Sequence, residues 1–294
     1  MEKMERNIPR QNHLELLRHL KDIDDLRDSR DSGIESGQES KAEEIAKRII
    51  SDAEKSNAKI IILFTSTKRR SIESANLIAE TLKKVKPGIK IIVSPNSNLI
   101  DLDHGEYILP KDYKVGDQYE PFKVAWDAFL TESFDNDNPN YRFGDPKINQ
   151  DGKASYPALS GYFTKFGESQ IDINLRLYKA IIDAYNAKDR IFSEKILNIA
   201  LTHSLPYATF KHLAEVARKI KEEGFTFEKG TIYKVCWDIY NDDKDSQHKS
   251  QYGDFSEVQI DLLEDEKFVD MLREEVHFLE GKYGKVENSK DKHG

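Results

Sequence analysis

Residues 59–82 read KIIILFTSTKRRSIESANLIAETL, and this stretch decides the fold. It opens with a continuous apolar run at residues 59–64, which is typical of a strand buried on both faces of a parallel sheet. From residue 71 to residue 85, apolar residues recur at helical spacing. A buried strand, a short turn and an amphipathic helix make up most of a β-α-β unit. The stretch therefore predicts an α/β fold with a mostly parallel sheet.

The same alternation of strands and helices continues on both sides of this stretch. Upstream, residues 13–19 predict a strand and residues 39–53 predict a helix. Downstream, we predict strands at 90–93, 196–201, 232–237 and 258–262, and helices at 171–187, 207–223 and 268–279. The pattern indicates a three-layer α/β/α sandwich. An acidic loop at 241–254 separates the last two strands, so we expect an antiparallel edge on the mostly parallel central sheet.

One long region departs from this alternation. Residues 108–166 are rich in Asp, Asn, Pro, Tyr and Phe and show weak periodicity, apart from a helical piece at 122–130. We interpret the region as a lid insertion over the active site. A single domain is then expected over residues 13–286, between a flexible N-terminus at 1–12 and a charged, disordered tail at 287–294.

Composition narrows the classes of function. The 294 residues include 45 Lys and Arg against 53 Asp and Glu, which gives a net charge of −8. A nucleic-acid polymer is therefore not expected as a partner, since such proteins carry a basic balance or stripe. Cys236 is the single cysteine, so an internal disulfide is impossible. With no secretory signal at the start and no apolar run of membrane-spanning length, we expect a cytoplasmic protein with no membrane partner. The oligomeric state is not readable.

Three predicted strands end on residues that can bind or attack a phosphoryl group. Arg18 and His19 end the first strand, Ser66 and Arg70 follow the second, and His203 follows a later one. Open α/β sheets bind their ligands at the carboxyl ends of the strands, so we expect these side chains to meet. Guanidinium groups bind phosphate oxygens in pairs, and a neutral imidazole can attack phosphorus. The pattern favours phosphoryl transfer.

Five segments, in this order, resemble the histidine phosphatase (phosphoglycerate mutase-like) superfamily. They are LELLRHL with Arg18 and His19, FTSTKRRSIESANLIAETL with Arg70, LIDLDHGEY around Asp101, GESQIDINLRL with Glu168 and Arg176, and ALTHSLPYATFKHL with His203. Together they cover most of residues 14–213. The resemblance implies a phosphoglycerate mutase-like fold and catalysis that needs no metal and no cofactor.

The resemblance also implies roles for individual residues. His19 is the nucleophile that forms a phosphohistidine, and Asp101 is the general acid that protonates the leaving oxygen and then activates water. Arg18, Arg70 and His203 hold the three non-bridging phosphate oxygens. Asp has an ordinary pKa of about 3.9, so the adjacent phosphate must keep it protonated for the first step. Activity at mildly acidic pH is expected on this ground.

Further residues are candidates for the same site. Ser66 takes the position of the family's turn serine, and Glu106 and Asp103 are rival acids. Lys21 is a candidate contact to a multiply phosphorylated substrate, against the simpler interpretation of a solvated cation. Asp101, Asp103 and His104 read D-L-D-H, which raises a metal site as an alternative. In an extended segment the two carboxylates would face away from the imidazole, so we expect no metal.

The chain departs from the family pattern at three positions. Leu20 replaces the Gly after the nucleophile, Thr67 replaces a Pro, and Ser204 replaces the Gly after the second histidine. A leucine at position 20 is expected to narrow the phosphate pocket or to re-aim His19. We expect a metal-independent phosphatase for a small phosphorylated substrate. One alternative is a phosphoglycerate mutase-type phosphotransferase. The other is a catalytically silent, phosphate-binding regulatory protein, and Leu20 is the main argument for this second alternative.

Overall fold

The computed structural model describes residues 13–21, 33–100, 102–107, 125, 128–129, 131–135, 138–145, 147–148, 154–155, 163–190, 195–203, 209, 213, 217, 260–261 and 266–283. In chain order its elements are β1 (His13–Arg18), α1 (Glu39–Ser56), β2 (Ile60–Thr65), α2 (Arg69–Val85), β3 (Lys90–Pro95), β4 (Glu106–Tyr107), β5 (Lys147–Ile148), β6 (Ala154–Ser155), β7 (Phe163–Lys165), α3 (Gln170–Arg190), β8 (Ile196–Thr202), β9 (Ile260–Asp261) and α4 (Glu266–Tyr283). The predicted termini, the strand at 232–237 and most of both the lid and the helix at 207–223 lie outside the described residues.

Four parallel strands form the centre of the main sheet, in the order β3-β2-β8-β1. The whole of β2 and the whole of β8 are buried, because helices cover both faces of the sheet. The predicted α/β fold with a mostly parallel sheet is confirmed. At the outer side of β1, the two-residue strand β9 pairs antiparallel with His13 and Leu14.

Two separate apolar clusters join the sheet to its helices. Leu17 of β1 and Ile61 of β2 pack with α1 and α2 on one face. Leu16 and Ile62, one residue along in each strand, pack with α3 and α4 on the other face. This alternation follows from the two-residue period of a strand. The result is the three-layer α/β/α arrangement that the sequence predicts.

Helix α2 begins two residues earlier than the apolar pattern predicts. It starts at Arg69, after Lys68 in an extended conformation. The backbone N–H of Lys68 lies 3.3 Å from Ser66 Oγ, and the carbonyl of Lys68 accepts from the N–H of Ser71. The charged residues Arg69 and Arg70 belong to the first turn, where the periodicity of apolar residues could not reveal them. Arg70 therefore lies in the first turn of a helix, at the carboxyl end of the parallel strands.

A second, smaller assembly lies beside the sheet. Strand β4 pairs with β7. Residues 138–145 contact the turn before α3 through two backbone hydrogen bonds: the Gly167 N–H donates to the Phe143 carbonyl, and the Phe143 N–H donates to the Glu168 carbonyl. A Cβ on Gly167 would overlap the Asp103 carbonyl oxygen and the Phe143 side chain, so this close approach requires glycine. None of the helices in the described part of the chain is long and apolar enough to span a membrane.

Candidate active site

His19 follows β1 at the carboxyl end of the sheet. Its backbone N–H donates to the Thr202 carbonyl of β8 at 3.1 Å, and its side chain is 4% exposed. The ring Nδ1 lies 2.7 Å from the Leu20 carbonyl oxygen. A carbonyl can only accept, so Nδ1 carries the hydrogen and Nε2 carries the lone pair of the neutral ring. The imidazole is thus held in the tautomer that can attack through Nε2.

Leu20 does not point its side chain into this site. The side chain is fully buried in the cluster between the sheet and helices α1 and α2. Its N–H donates to Ser74 Oγ at 3.0 Å, and that hydroxyl donates to the Arg70 carbonyl at 2.6 Å. Among the described non-glycine residues only Asn57 has a positive φ, so position 20 does not need glycine. The expected narrowing of the pocket by Leu20 is therefore wrong, whereas the re-aiming of His19 stays a prediction.

The second imidazole lies beside the first. His203 is fully buried, and its ring centroid is 4.9 Å from that of His19, with the planes tilted by 57°. Its Nε2 lies 2.8 Å from Ser66 Oγ. Its Nδ1 lies 3.3 Å from Arg70 Nε and 3.2 Å from Arg70 Nη2. A guanidinium only donates, so Nδ1 accepts, and Nε2 carries the hydrogen towards Ser66.

The two arginines come from different elements. Arg70 is 8% exposed and reaches the site from the first turn of α2. Arg18, half-buried, is the last residue of β1, in register with Thr202 of β8. Two strands and one helix N-terminus therefore bring together His19, His203 and Arg70, together with Ser66, as the topology of the sheet requires.

Lys21 and Asp103 have local partners. The Lys21 ammonium lies 3.0 Å from a Glu35 carboxylate oxygen on an exposed surface, which matches the interpretation of a solvated cation. Asp103 is exposed, and its carboxylate accepts from the Gly105 N–H at 2.9 Å. The His104 ring packs edge-on against Phe143 at 4.8 Å.

The predicted general acid, Asp101, lies outside the described residues, as does the side chain of Glu106. Within the part of the chain that the structure describes, no three His, Cys, Asp or Glu side chains converge as a metal-binding set.

Two features of the site region have no role in the sequence predictions. Thr202 Oγ1 donates to the Leu99 carbonyl at 3.0 Å, which ties the residue before His203 to the segment before position 101. Glu168 and Arg176 form an ion pair with a 2.6 Å contact next to the same segment. The quoted GES…R segment contains both residues, but only the fold reveals what they touch.

Comparison with known proteins gives likenesses to solved structures only. No protein-family model matches the chain, and no curated protein matches it. A structure named mycobacterial hydrolase 1 has a TM-score of 0.41 at 14% identity, over 70% of this chain and 82% of that one. A mycobacterial glucosyl-3-phosphoglycerate phosphatase has a TM-score of 0.40 at 14% identity, over 68% and 77%. A phosphoglycerate mutase from Plasmodium falciparum has a TM-score of 0.30 at 16% identity, over 70% and 75%. At these low values, the resemblance of this chain to the histidine phosphatase superfamily rests on its own motifs and its own site.

Proposed function

We propose that this protein is a phosphatase that hydrolyses a phosphomonoester through a phosphohistidine on His19, without a metal. One observation carries the proposal, namely the arrangement of His19, His203 and Arg70. The Leu20 carbonyl oxygen lies 2.7 Å from His19 Nδ1 and fixes the tautomer of that ring. The centroid of the His203 ring lies 4.9 Å from that of His19, and Arg70 donates a hydrogen bond to His203. A buried nucleophilic imidazole beside a second imidazole and a guanidinium is the combination that phosphoryl transfer to nitrogen needs.

The phosphate group would bind among Arg18, Arg70 and His203. Arg70 presents several N–H donors, which match phosphate oxygens in pairs. The Nε2–H of His203 would exchange Ser66 Oγ for a phosphate oxygen. Because the pocket is largely buried, these donors act in a medium of low dielectric and stabilise the charge that spreads over the three non-bridging oxygens.

The reaction has two balanced steps. In the first, Nε2 of His19 attacks phosphorus, the bond to the leaving oxygen breaks, and the carboxyl group of Asp101 gives that oxygen its proton. The imidazole becomes positively charged, and its Nδ1–H bond to the Leu20 carbonyl strengthens. In the second, the Asp101 carboxylate takes a proton from water as the water oxygen attacks phosphorus and the N–P bond breaks. Inorganic phosphate leaves, and both side chains return to their starting states.

The test is turnover of p-nitrophenyl phosphate in the presence of a chelator. We expect the wild-type chain to be active and His19→Ala to be inactive with a normal fold. His277→Ala, which removes an exposed histidine of α4, is the matched control and should keep full activity. A His19→Ala variant with undiminished turnover, or wild-type activity that the chelator abolishes, would refute the proposal. A strict mutase would turn over this compound barely, and a silent phosphate-binding protein would not turn it over.

A further inference from the structure

We propose that Glu168 and Arg176 are positioning residues for the acid-bearing segment, which we define as residues 98–100 and 102–103, on the two sides of Asp101. The inference rests on the proposed function, since it concerns how Asp101 is held for proton transfer. It concerns neither the nucleophile nor the phosphate pocket.

The first support is the geometry of the ion pair. Arg176 Nε lies 2.7 Å from Glu168 Oε1, and Nη2 lies 2.6 Å from Oε2, so the contact is bidentate. The side chains are 6% and 13% exposed. Removing two charges from water costs solvation free energy that their mutual attraction only roughly offsets, so a buried ion pair is weak evidence of a stabilising role. The role of the Glu168–Arg176 pair is therefore inferred from the other hydrogen bonds that its two side chains make.

Those hydrogen bonds go to the backbone of the acid-bearing segment. Arg176 Nη1 donates to the Ile100 carbonyl at 2.9 Å and to the Asn98 carbonyl at 3.3 Å. Glu168 Oε2 accepts from the Asp103 N–H at 3.0 Å, and the Glu168 N–H donates to the Asp103 carbonyl at 2.8 Å. The ion pair thus fixes backbone on both sides of position 101, using side chains that are themselves fixed to each other.

The same segment is tied to the two histidines. Thr202 Oγ1 donates to the Leu99 carbonyl at 3.0 Å. Thr202 also accepts from the His19 N–H at 3.1 Å, and it directly precedes His203. The Glu168–Arg176 pair and Thr202 therefore hold the acid-bearing segment in a fixed relation to the imidazoles. A shift of about 1 Å in a catalytic group can cost about 100-fold in rate, which is the reason for such a brace.

The test uses leaving groups that differ in their need for a proton. 2,4-Dinitrophenolate leaves as a stable anion, whereas the alkoxide of glycerol 2-phosphate must be protonated as it leaves. We would measure kcat/KM for both substrates, because this quantity reports the phosphorylation step. The variants are Arg176→Lys, which keeps the charge and loses the fork; Glu168→Gln; and Asp101→Asn as reference. Arg273→Lys, on α4, removes a half-exposed fork that is bonded to Asp270 and Asn186, and it serves as control.

Arg176→Lys and Glu168→Gln should each lower kcat/KM for glycerol 2-phosphate by about 10-fold or more and change the value for the dinitrophenyl ester less than about threefold. Asp101→Asn should show the same selectivity in stronger form, and Arg273→Lys should show none. If the two residues had only a structural role, their replacement would lower kcat/KM for both substrates by the same factor.

Two results for Arg176→Lys and Glu168→Gln would overturn the inference: an equal loss of kcat/KM for both substrates, or no loss for either. If Asp101→Asn is still selective in that case, the proposed function stands. An unselective Asp101→Asn would remove the proposed acid, and with it this inference. A wild-type chain inactive on both esters would overturn the proposed function itself.

Discussion

At the residue scale, the bond from His19 Nδ1 to the Leu20 carbonyl decides what the nucleophile can do. It selects the tautomer with the lone pair on Nε2, and it comes from the backbone, so it does not depend on the side chain at position 20. The leucine side chain packs instead with residues such as Ile45 and Leu63. Its presence is a matter of core packing, which a motif comparison treats as a departure at the active site.

Replacing this leucine with the family's glycine separates the two roles. Leu20→Gly should lower the free energy of unfolding by about 3 to 5 kcal/mol, because it leaves a cavity in a fully buried cluster and adds backbone freedom. Its kcat/KM per folded molecule should stay within about threefold of wild type. Urea unfolding and turnover of p-nitrophenyl phosphate measure the two effects. Leu20→Met, which keeps the volume, should cost less than about 1.5 kcal/mol. An active-site role for the leucine would show instead as a large change in kcat/KM without a loss of stability.

At the element scale, β1 carries a carboxyl group in the core of the sandwich. Glu15 is 1% exposed, and burial, together with the nearby carboxylate of Asp52 on α1, raises its pKa from 4.5 to about 7. A raised pKa means that the folded state holds the proton more tightly than the unfolded state does. The protonated Glu15 carboxyl group therefore stabilises the folded state. This contribution to the free energy of unfolding is fully present below pH 4.5, and about 3 kcal/mol of it is lost as the pH rises from 4.5 to 7.

Glu15→Gln should remove this pH dependence. Relative to wild type, its free energy of unfolding should rise by about 3 kcal/mol between pH 4.5 and 8, since the amide is neutral throughout. Urea unfolding at a series of pH values measures the difference. Glu44→Gln, at an exposed position of α1, should follow the wild-type curve. Parallel curves for Glu15→Gln and wild type would contradict the account of β1.

The same scale shows what the sequence could and could not predict. The continuous apolar run of β2 identified a buried parallel strand, because a strand covered on both faces has no polar side to alternate with. The first turn of α2 was missed, since Arg69 and Arg70 break the apolar pattern. The partners of Arg176 were also beyond prediction. They are backbone carbonyls of Asn98 and Ile100, and a carbonyl is the same in every residue.

At the scale of the whole molecule, a chain with a net charge of −8 gathers cationic and neutral donors at one edge of its sheet. The parallel order of β2, β8 and β1 places three strand ends side by side, and each end supplies one part of the site. Arg70, His203 and His19 meet for this topological reason, although 51 to 184 residues separate them along the chain. Their positions just after predicted parallel strands predict the meeting, and the strand order of the sheet explains it.

The measurement that tests the central claim most directly is capture of the covalent intermediate. The protein is mixed with a ³²P-labelled aryl phosphate, quenched in alkali within the first turnovers, digested and sequenced by mass spectrometry. The account predicts one phosphoryl group per chain on His19, stable to alkali and released by acid, and no label in His19→Ala. Label on Ser66 or on another residue, or steady turnover with no captured intermediate under conditions in which hydrolysis of the intermediate limits the rate, would contradict it.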